Sequence, residues 1–313
     1  MSLNLVRSLG HRAQLAVSNS LSNLWNMPSV RKDSCLLNQT IMMYSSSAQN
    51  EISLGRYRRA KRIILIRHGE SMGNVDENNY VHTADWRIPL SDTGIEQSKD
   101  AGRRLRNIML LNKNHHNGDD SLKKDAMERC FIYYSPYLRT TQTMEYVCAQ
   151  LPPGAVIGRR EEPRIVEQQF GNFQNLDEIQ EAKEDRVRFG RFFYRFAAGE
   201  AGLDVYTRTT SFIGTMSRDV MEMQRCGLDM DKTNLVIVTH GLSMRLFLMR
   251  WLQISVKEFD RMYNPDNAFM AVMERHVDIN EDNCTREYYQ LTEESAKHLK
   301  IKKRKNDSYL DFF

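Results

Sequence analysis

Three short, uninterrupted apolar runs constrain this chain more than anything else: Arg62-Ile63-Ile64-Leu65-Ile66, Cys130-Phe131-Ile132-Tyr133-Tyr134 and Leu235-Val236-Ile237-Val238-Thr239. Each is rich in β-branched and aromatic residues and lacks the polar alternation of a strand with one wet face. Each therefore reads as a strand buried on both sides. A helix signal follows every one of them. After the first, Ser91-Asp92 opens a stripe of Ile95, Ser98, Gly102, Leu105 and Met109. After the second, Ser135 fits an N-cap with Pro136 at the first helical position, and Thr141, Met144, Cys148 and Leu151 continue at steps of three and four. After the third, Gly241-Leu242 leads into the apolar segment Met244 to Leu252. Val205, Phe212, Ile213, Met216, Val220 and Met223 mark one more helix, opening near Asp204. Strands alternating with helices predict an α/β fold: a three-layer α/β/α sandwich with a mostly parallel central sheet and ligands at the carboxyl edge of its strands.

Charge separates this core from its flanks. The whole chain has 44 basic and 40 acidic residues, a formal +4 that gives no argument for a nucleic-acid partner. Residues 1–50 carry Arg7, Arg12, Arg31 and Lys32 against the single acid Asp33, together with ten serines. That composition resembles an organelle transit peptide, mitochondrial or plastid; the other reading is a disordered extension of a cytoplasmic protein. Residues 281–313 read as a charged C-terminal tail with the run Lys302-Lys303-Arg304-Lys305 ahead of its Tyr-Leu-Asp-Phe-Phe terminus. The hydrophilic insert 112–129 contains His115-His116, but adjacent histidines point apart on a regular element and read as loop. Cys35, Cys130, Cys148, Cys226 and Cys284 form an odd set with no CxxC pair, so neither a disulfide framework nor a zinc site is indicated. No apolar run approaches the roughly 20 residues that span a bilayer.

Only polar residues just beyond the strand ends can converge on one crevice. Three such places stand out: Arg67-His68-Gly69-Glu70-Ser71, Ser135-Pro136-Tyr137-Leu138-Arg139 and Thr239-His240-Gly241. They combine two histidines, two arginines and helix N-termini. Guanidinium forks and unpaired helix N–H groups both suit a phosphoryl group. Arg139 in the first turn of its helix opposes the dipole unless an anion is bound. A neutral imidazole is then the natural nucleophile, and neither a metal nor another cofactor is implied.

Arg67-His68-Gly69-Glu70-Ser71 with Asn74, followed by Leu90-Ser91-Asp92-Thr93-Gly94, Ser135 to Thr143, Glu167-Gln168-Gln169-Phe170-Gly171 and Thr239 to Arg245, resembles the histidine phosphatase (phosphoglycerate mutase-like) superfamily. The resemblance runs over roughly residues 60–275, which sets a catalytic domain at 60–280. It implies that His68 attacks phosphorus, that Arg67, Arg139 and His240 hold the non-bridging oxygens, and that Asn74 and Gly241 add contacts. It also implies that Glu167 protonates the leaving oxygen and then activates water, with Glu161 and Glu162 as competitors for that role. His68 must be neutral while Glu167 holds a proton, which predicts an acidic optimum of roughly pH 5 to 6.5.

Segment 183–200 interleaves Arg186, Arg188, Arg191 and Arg195 with Phe189, Phe192, Phe193, Tyr194 and Phe196. Three readings compete for it. The resemblance makes it a small helical cap in which Arg188, Arg191 and Arg195 bind the substrate's leaving group. Its aromatics also suit the core face of an amphipathic helix, and arginine–aromatic alternation suits single-stranded RNA. The run Gly199 to Arg208 is similar to fungal and plant members with broad-range acid phosphatase activity. The expected activity is thus hydrolysis of phosphorylated small molecules. Phosphoglycerate mutase-type transfer is the enzymatic alternative, and an RNA- or protein-binding module with a degenerate site is the non-enzymatic one.

Overall fold

The computed structural model describes residues 58–110, 127–171, 175–279 and 285–301. The targeting reading of 1–50, nearly all of the 112–129 insert and the Lys302 to Lys305 run lie outside these residues.

Six strands form one sheet: β1 (Arg62–Arg67), β2 (Arg129–Tyr134), β3 (Val156–Glu161), β4 (Thr233–Thr239), β5 (Met270–Ile279) and β6 (Thr285–Leu291). Their order is β3-β2-β4-β1-β5-β6. The four strands from β3 to β1 are parallel, and β5 and β6 join antiparallel at the other side. The principal helices are α1 (Asp92–Leu110), α2 (Leu138–Cys148), α3 (Leu176–Phe189), α4 (Gly202–Arg225), α5 (Gly241–Trp251) and α6 (Glu293–His298).

Alternation along the strands divides the core in two. Ile63 and Leu65 of β1 and Leu235 and Ile237 of β4 pack with Phe212 and Met216 of α4 and Met244 and Phe247 of α5. Ile64, Ile66, Val236 and Val238 point the other way, onto Ala101 and Leu105 of α1 and Met144 and Val147 of α2. The result is the expected α/β/α sandwich. Ile64, Leu65, Ile66, Val236, Ile237 and Val238 are fully excluded from solvent. Each such side chain contributes about 1.5–3 kcal/mol of transfer free energy, so the middle of the sheet is a stiff base for whatever its strand ends carry.

The structure departs from the sequence reading in three places. α2 begins at Leu138 with Tyr137 as its N-cap, not at Pro136 with Ser135 as cap. The Ser135 hydroxyl is engaged instead by His240, 2.8 Å away. The buried face of α2 is Arg139, Thr140, Thr143, Met144 and Val147, while Thr141 and Cys148 are half-buried. Its threonines satisfy their own hydroxyls on backbone carbonyls, Thr140 on Ser135 at 2.9 Å and Thr143 on Arg139 at 2.8 Å, so polar residues line the core side. Finally, β6 pairs with β5 along its whole length and α6 follows it, so residues 285–301 belong to the folded unit and not to a tail.

Segment 183–200 starts midway through α3, which ends at Gly190 in the left-handed region (φ 93°). Its aromatics divide. Phe192 and Phe196 are buried in core, whereas Phe189 and Phe193 are exposed.

Candidate active site

Because β2, β4 and β1 are adjacent and parallel, the residues after Tyr134, Thr239 and Arg67 emerge side by side at one edge. His68 continues β1, its N–H donating to the Thr239 carbonyl at 3.0 Å. The ring is buried, and Nδ1 lies 2.6 Å from the Gly69 carbonyl. A carbonyl only accepts, so Nδ1 carries the proton and Nε2 keeps its lone pair. Burial first, then the Arg139 and Arg67 charges, hold the His68 pKa well below its ordinary value, so this imidazole is neutral. His240 is also fully buried, and its pKa is driven down first by burial and then by Arg139. The two rings lie 5.2 Å apart, inclined at 64°.

The loop after β1 is pressed against the start of α1. A Cβ on Gly94 would stand 1.9 Å from the Glu70 carbonyl oxygen, and one on Gly69 would stand 2.3 Å from that of Gly94. Both glycines are required by this close approach. Ser91 caps α1 by accepting from the Gly94 N–H at 3.0 Å, and its hydroxyl donates to the Glu70 carboxylate at 2.7 Å. Glu70 is thereby turned to Ser91 and takes no part in the cluster around the histidines.

Arg139 is buried, and its Nη1 donates to the Asp85 carbonyl at 2.7 Å and carboxylate at 2.8 Å. Arg67 donates through Nη1 to the Pro265 carbonyl. The Nε of each arginine is buried with no partner among the described residues, as is His240 Nδ1. Unpaired buried donors around a neutral histidine make a cradle that an anion would complete. Asn74 Oδ1 accepts from Ser71 and from Asn267, each at 3.1 Å, which leaves its amide as the donor end for a ligand.

Glu167 accepts from its neighbour Gln168 N–H at 3.1 Å and from the Leu242 N–H of the first turn of α5 at 3.3 Å. Its carboxylate is near enough to influence Arg67, Arg186 and Arg245. The backbone beneath it is fixed by Arg208, which donates to the carbonyls of Arg164, Val166 and Glu167. Glu162, by contrast, faces Arg164 in a two-pronged ion pair; burial would raise its pKa, but the Arg164 bonds prevail and lower it. Glu161 is exposed at the end of β3.

Arg67, His68, Asn74, Arg139, Glu167, His240 and Gly241 therefore come together, and two of the expected cap residues do not join them. Arg195 is tied to Asp204 by a 2.6 Å ion pair on the surface, and Arg188 is exposed over the Phe189 ring. Arg191 remains within electrostatic reach of Arg186 and Arg245. The residues to which sequence reasoning gave no role are Asp85, Arg208 and Arg245. Arg245 had a usable signal: it lies four residues after Gly241, hence on the same helix face.

Residues 63–112 and 120–281 match the histidine phosphatase superfamily, branch 1. Among characterised sequences, the phosphoglycerate mutase-like protein AT74H of Arabidopsis thaliana is 45% identical over 215 residues, covering 68% of this chain and 74% of the relative. The broad-range acid phosphatase DET1 of Saccharomyces cerevisiae is 28% identical over 71% of this chain and 87% of its own length. Among solved structures, Mycobacterial hydrolase 1 superposes with a TM-score of 0.54 at 18% identity, over 74% of this chain and 97% of that one, a likeness of fold. With the RHG loop, both histidines and both arginines assembled at the carboxyl edge of this sheet, the chain belongs to the histidine phosphatase superfamily, branch 1.

Proposed function

We propose that the protein is a metal-independent phosphatase that hydrolyses phosphomonoesters through a phosphohistidine on His68, with broad specificity and an acidic optimum. The observation that carries this reading is the fixed tautomer of His68. Its Nδ1–H is held on the Gly69 carbonyl, so the Nε2 lone pair is free beside Arg67 and Arg139. Nε2 attacks phosphorus, a P–N bond forms, and the P–O bond to the alcohol breaks. The departing oxygen takes a proton from Glu167. Negative charge spread over the three equatorial oxygens is met by Arg67, Arg139, His240 and Asn74, which are in position before the reaction. Glu167 then removes a proton from water as that water attacks the phosphohistidine, releasing inorganic phosphate and restoring both residues.

The pH dependence follows from the same groups. A depressed His68 pKa keeps the nucleophile neutral on the acid side. A phosphomonoester takes up its second proton near pH 6, so below that its monoanion predominates and can bring to Glu167 the proton that Glu167 passes to the leaving oxygen. The description of the 45% identical relative as phosphoglycerate mutase-like keeps phosphoryl transfer as the second reading, since both reactions share the phosphohistidine and differ in whether water reaches it. Phosphate release from a panel of phosphomonoesters between pH 4 and 9, run beside isomerisation of 3-phosphoglycerate with and without 2,3-bisphosphoglycerate, separates the two. Release at acidic pH without isomerisation supports the phosphatase; isomerisation without release, or an alkaline optimum, contradicts it. The proposal extends to organelle import through residues 1–50, read out by the location of the full chain fused to a fluorescent protein with and without that segment.

A further inference from the structure

Arg139 is the second residue of α2, where the helix dipole opposes a cation, and its side chain is buried, so it stays charged there only with a partner. Two oxygens of one residue provide it. Nη1 donates to the Asp85 carbonyl at 2.7 Å and to the Asp85 carboxylate at 2.8 Å, and among the described residues this is the only carboxylate bonded to Arg139. Nε has no partner there. A guanidinium offers one fork through Nε and Nη2, so with Nη1 tied back that edge is what remains for an anion. Arg67 is arranged in the same way, with Nη1 on the Pro265 carbonyl and Nε buried and unpaired. After burial, the charge of Arg139 is the strongest influence lowering the pKa of both His68 and His240, so a displaced guanidinium would be felt at the reacting imidazole.

Asp85 is itself well anchored. It opens the 3-10 turn Asp85–Arg87, which closes with the Ile88 N–H donating to the Asp85 carbonyl at 3.3 Å. Ile88 is fully buried, and two residues later the Leu90 N–H donates to the Gln142 side chain of α2 at 2.8 Å. The other end of the segment is tied to the loop after β1. Asn79 Nδ2 donates to the Met72 carbonyl at 3.0 Å, and the Tyr80 ring packs so closely on Gly73 that a Cβ there would stand 2.6 Å from it. The segment thus bridges the loop that carries His68 and the helix that carries Arg139, and Asp85 is the residue by which it grips the guanidinium. We propose that Asp85 is a positioning residue for phosphoryl binding: it holds Arg139 by Nη1 and aims the Nε–Nη2 edge at the non-bridging oxygens beside His68. This rests on the phosphate-binding role given to Arg139 above.

The test is the Kd of inorganic phosphate for the full-length protein, measured by isothermal titration calorimetry in a double-mutant cycle on Asp85 and Arg139. Asp85→Ala keeps the backbone carbonyl but loses the charged tether, and should weaken binding by about tenfold, the scale of one charge-assisted hydrogen bond. Asp85→Asn keeps an oxygen acceptor without the charge and should weaken it by about threefold. Arg139→Lys has no fork to aim, so adding Asp85→Ala to it should change Kd by less than about twofold. A smaller folded fraction lowers the number of binding sites and the apparent kcat but not Kd, so a merely structural role of Asp85 would leave Kd unmoved. Should Asp85→Ala fail to fold, Asp85→Asn takes its place in the cycle. An unchanged or tighter Kd in the Asp85 variant, or an equal loss in the Arg139→Lys background, overturns the proposal. A wild type that binds phosphate but releases none from any ester, p-nitrophenyl phosphate included, removes the phosphatase reading while the cycle still decides the role of Asp85. Turnover with a Kd indifferent to Asp85 removes that role alone, and a wild type that neither binds phosphate nor turns over overturns both.

Discussion

Lowering the pH should destabilise the empty protein through its two active-site histidines, by an amount that follows from their burial. His68 and His240 are 4% and 0% exposed, and both pKas lie well below 6.5, chiefly because burial penalises the imidazolium and because Arg139 repels it. In the unfolded chain each titrates near its ordinary value of about 6.5. Above that pH neither state takes up a proton and the pair adds nothing to the pH slope. As pH falls below it, the unfolded chain binds two protons that the folded pocket refuses, so stability present at neutral pH is lost towards acid. At pH 5.5, one unit below, a ring that takes up no proton in the fold costs about 1.4 kcal/mol, so the ceiling for the two together is about 3 kcal/mol. Urea unfolding at pH 7.5 and 5.5 measures this when wild type is set against a His68→Asn/His240→Asn double variant, because carboxylates elsewhere contribute alike to both and cancel. The wild type should lose more than the variant between the two pH values, by as much as about 3 kcal/mol. Equal losses would mean that the pocket admits those protons, and the argument for a neutral His68 in acid would fall with that result.

Two further outcomes test the parts around that pair. Glu167→Gln should lower kcat with alkyl phosphates by roughly a hundredfold or more and cost far less with p-nitrophenyl phosphate, whose leaving group departs without a proton; equal losses on both would remove Glu167 as the acid. Gly94→Ala drives a Cβ into the Glu70 carbonyl and should cost about 1–3 kcal/mol in thermal or urea unfolding. Gly214→Ala in mid-α4, whose nearest neighbour is the flexible end of Arg218 at 3.9 Å, should instead stabilise by about 0.5–1 kcal/mol.

How legible each element is in sequence depends on how many sides of it are buried. β1 and β4 have sheet neighbours on both edges and helices on both faces, so their apolar runs stand out without reference to anything distant. β3 is an edge strand carrying Gly158, Arg159, Arg160 and Glu161, half-exposed for most of its length, and nothing in its composition separates it from loop. β5 and β6 bring charged residues such as Glu274, Arg275, Asp278 and Glu287 into a ladder fixed by mutual pairing, a long-range property that local hydropathy does not encode. In the site, His68, Arg67, Arg139 and His240 were legible because strand ends fix their location. Arg188 and Arg195 stand apart from the cluster because charge alone does not say which arginine a neighbouring acid has taken: Asp204 holds Arg195 on the surface, while Arg186, nine residues earlier, is partly buried. Arg245 was hidden among apolar residues of a helix buried nearly all round, where an arginine passes for an interruption of the core.

The central claim is that His68 becomes covalently phosphorylated, and its most direct measurement is a rapid-quench experiment with ³²P-labelled phosphomonoester at acidic pH, followed by peptide mapping. Acid-labile, alkali-stable label should appear on the peptide containing His68 within one turnover, persist in the presence of EDTA, accumulate in Glu167→Gln when an aryl ester is used, and be absent from His68→Ala. Label on another residue, label retained by His68→Ala, or full turnover by His68→Ala would contradict the account.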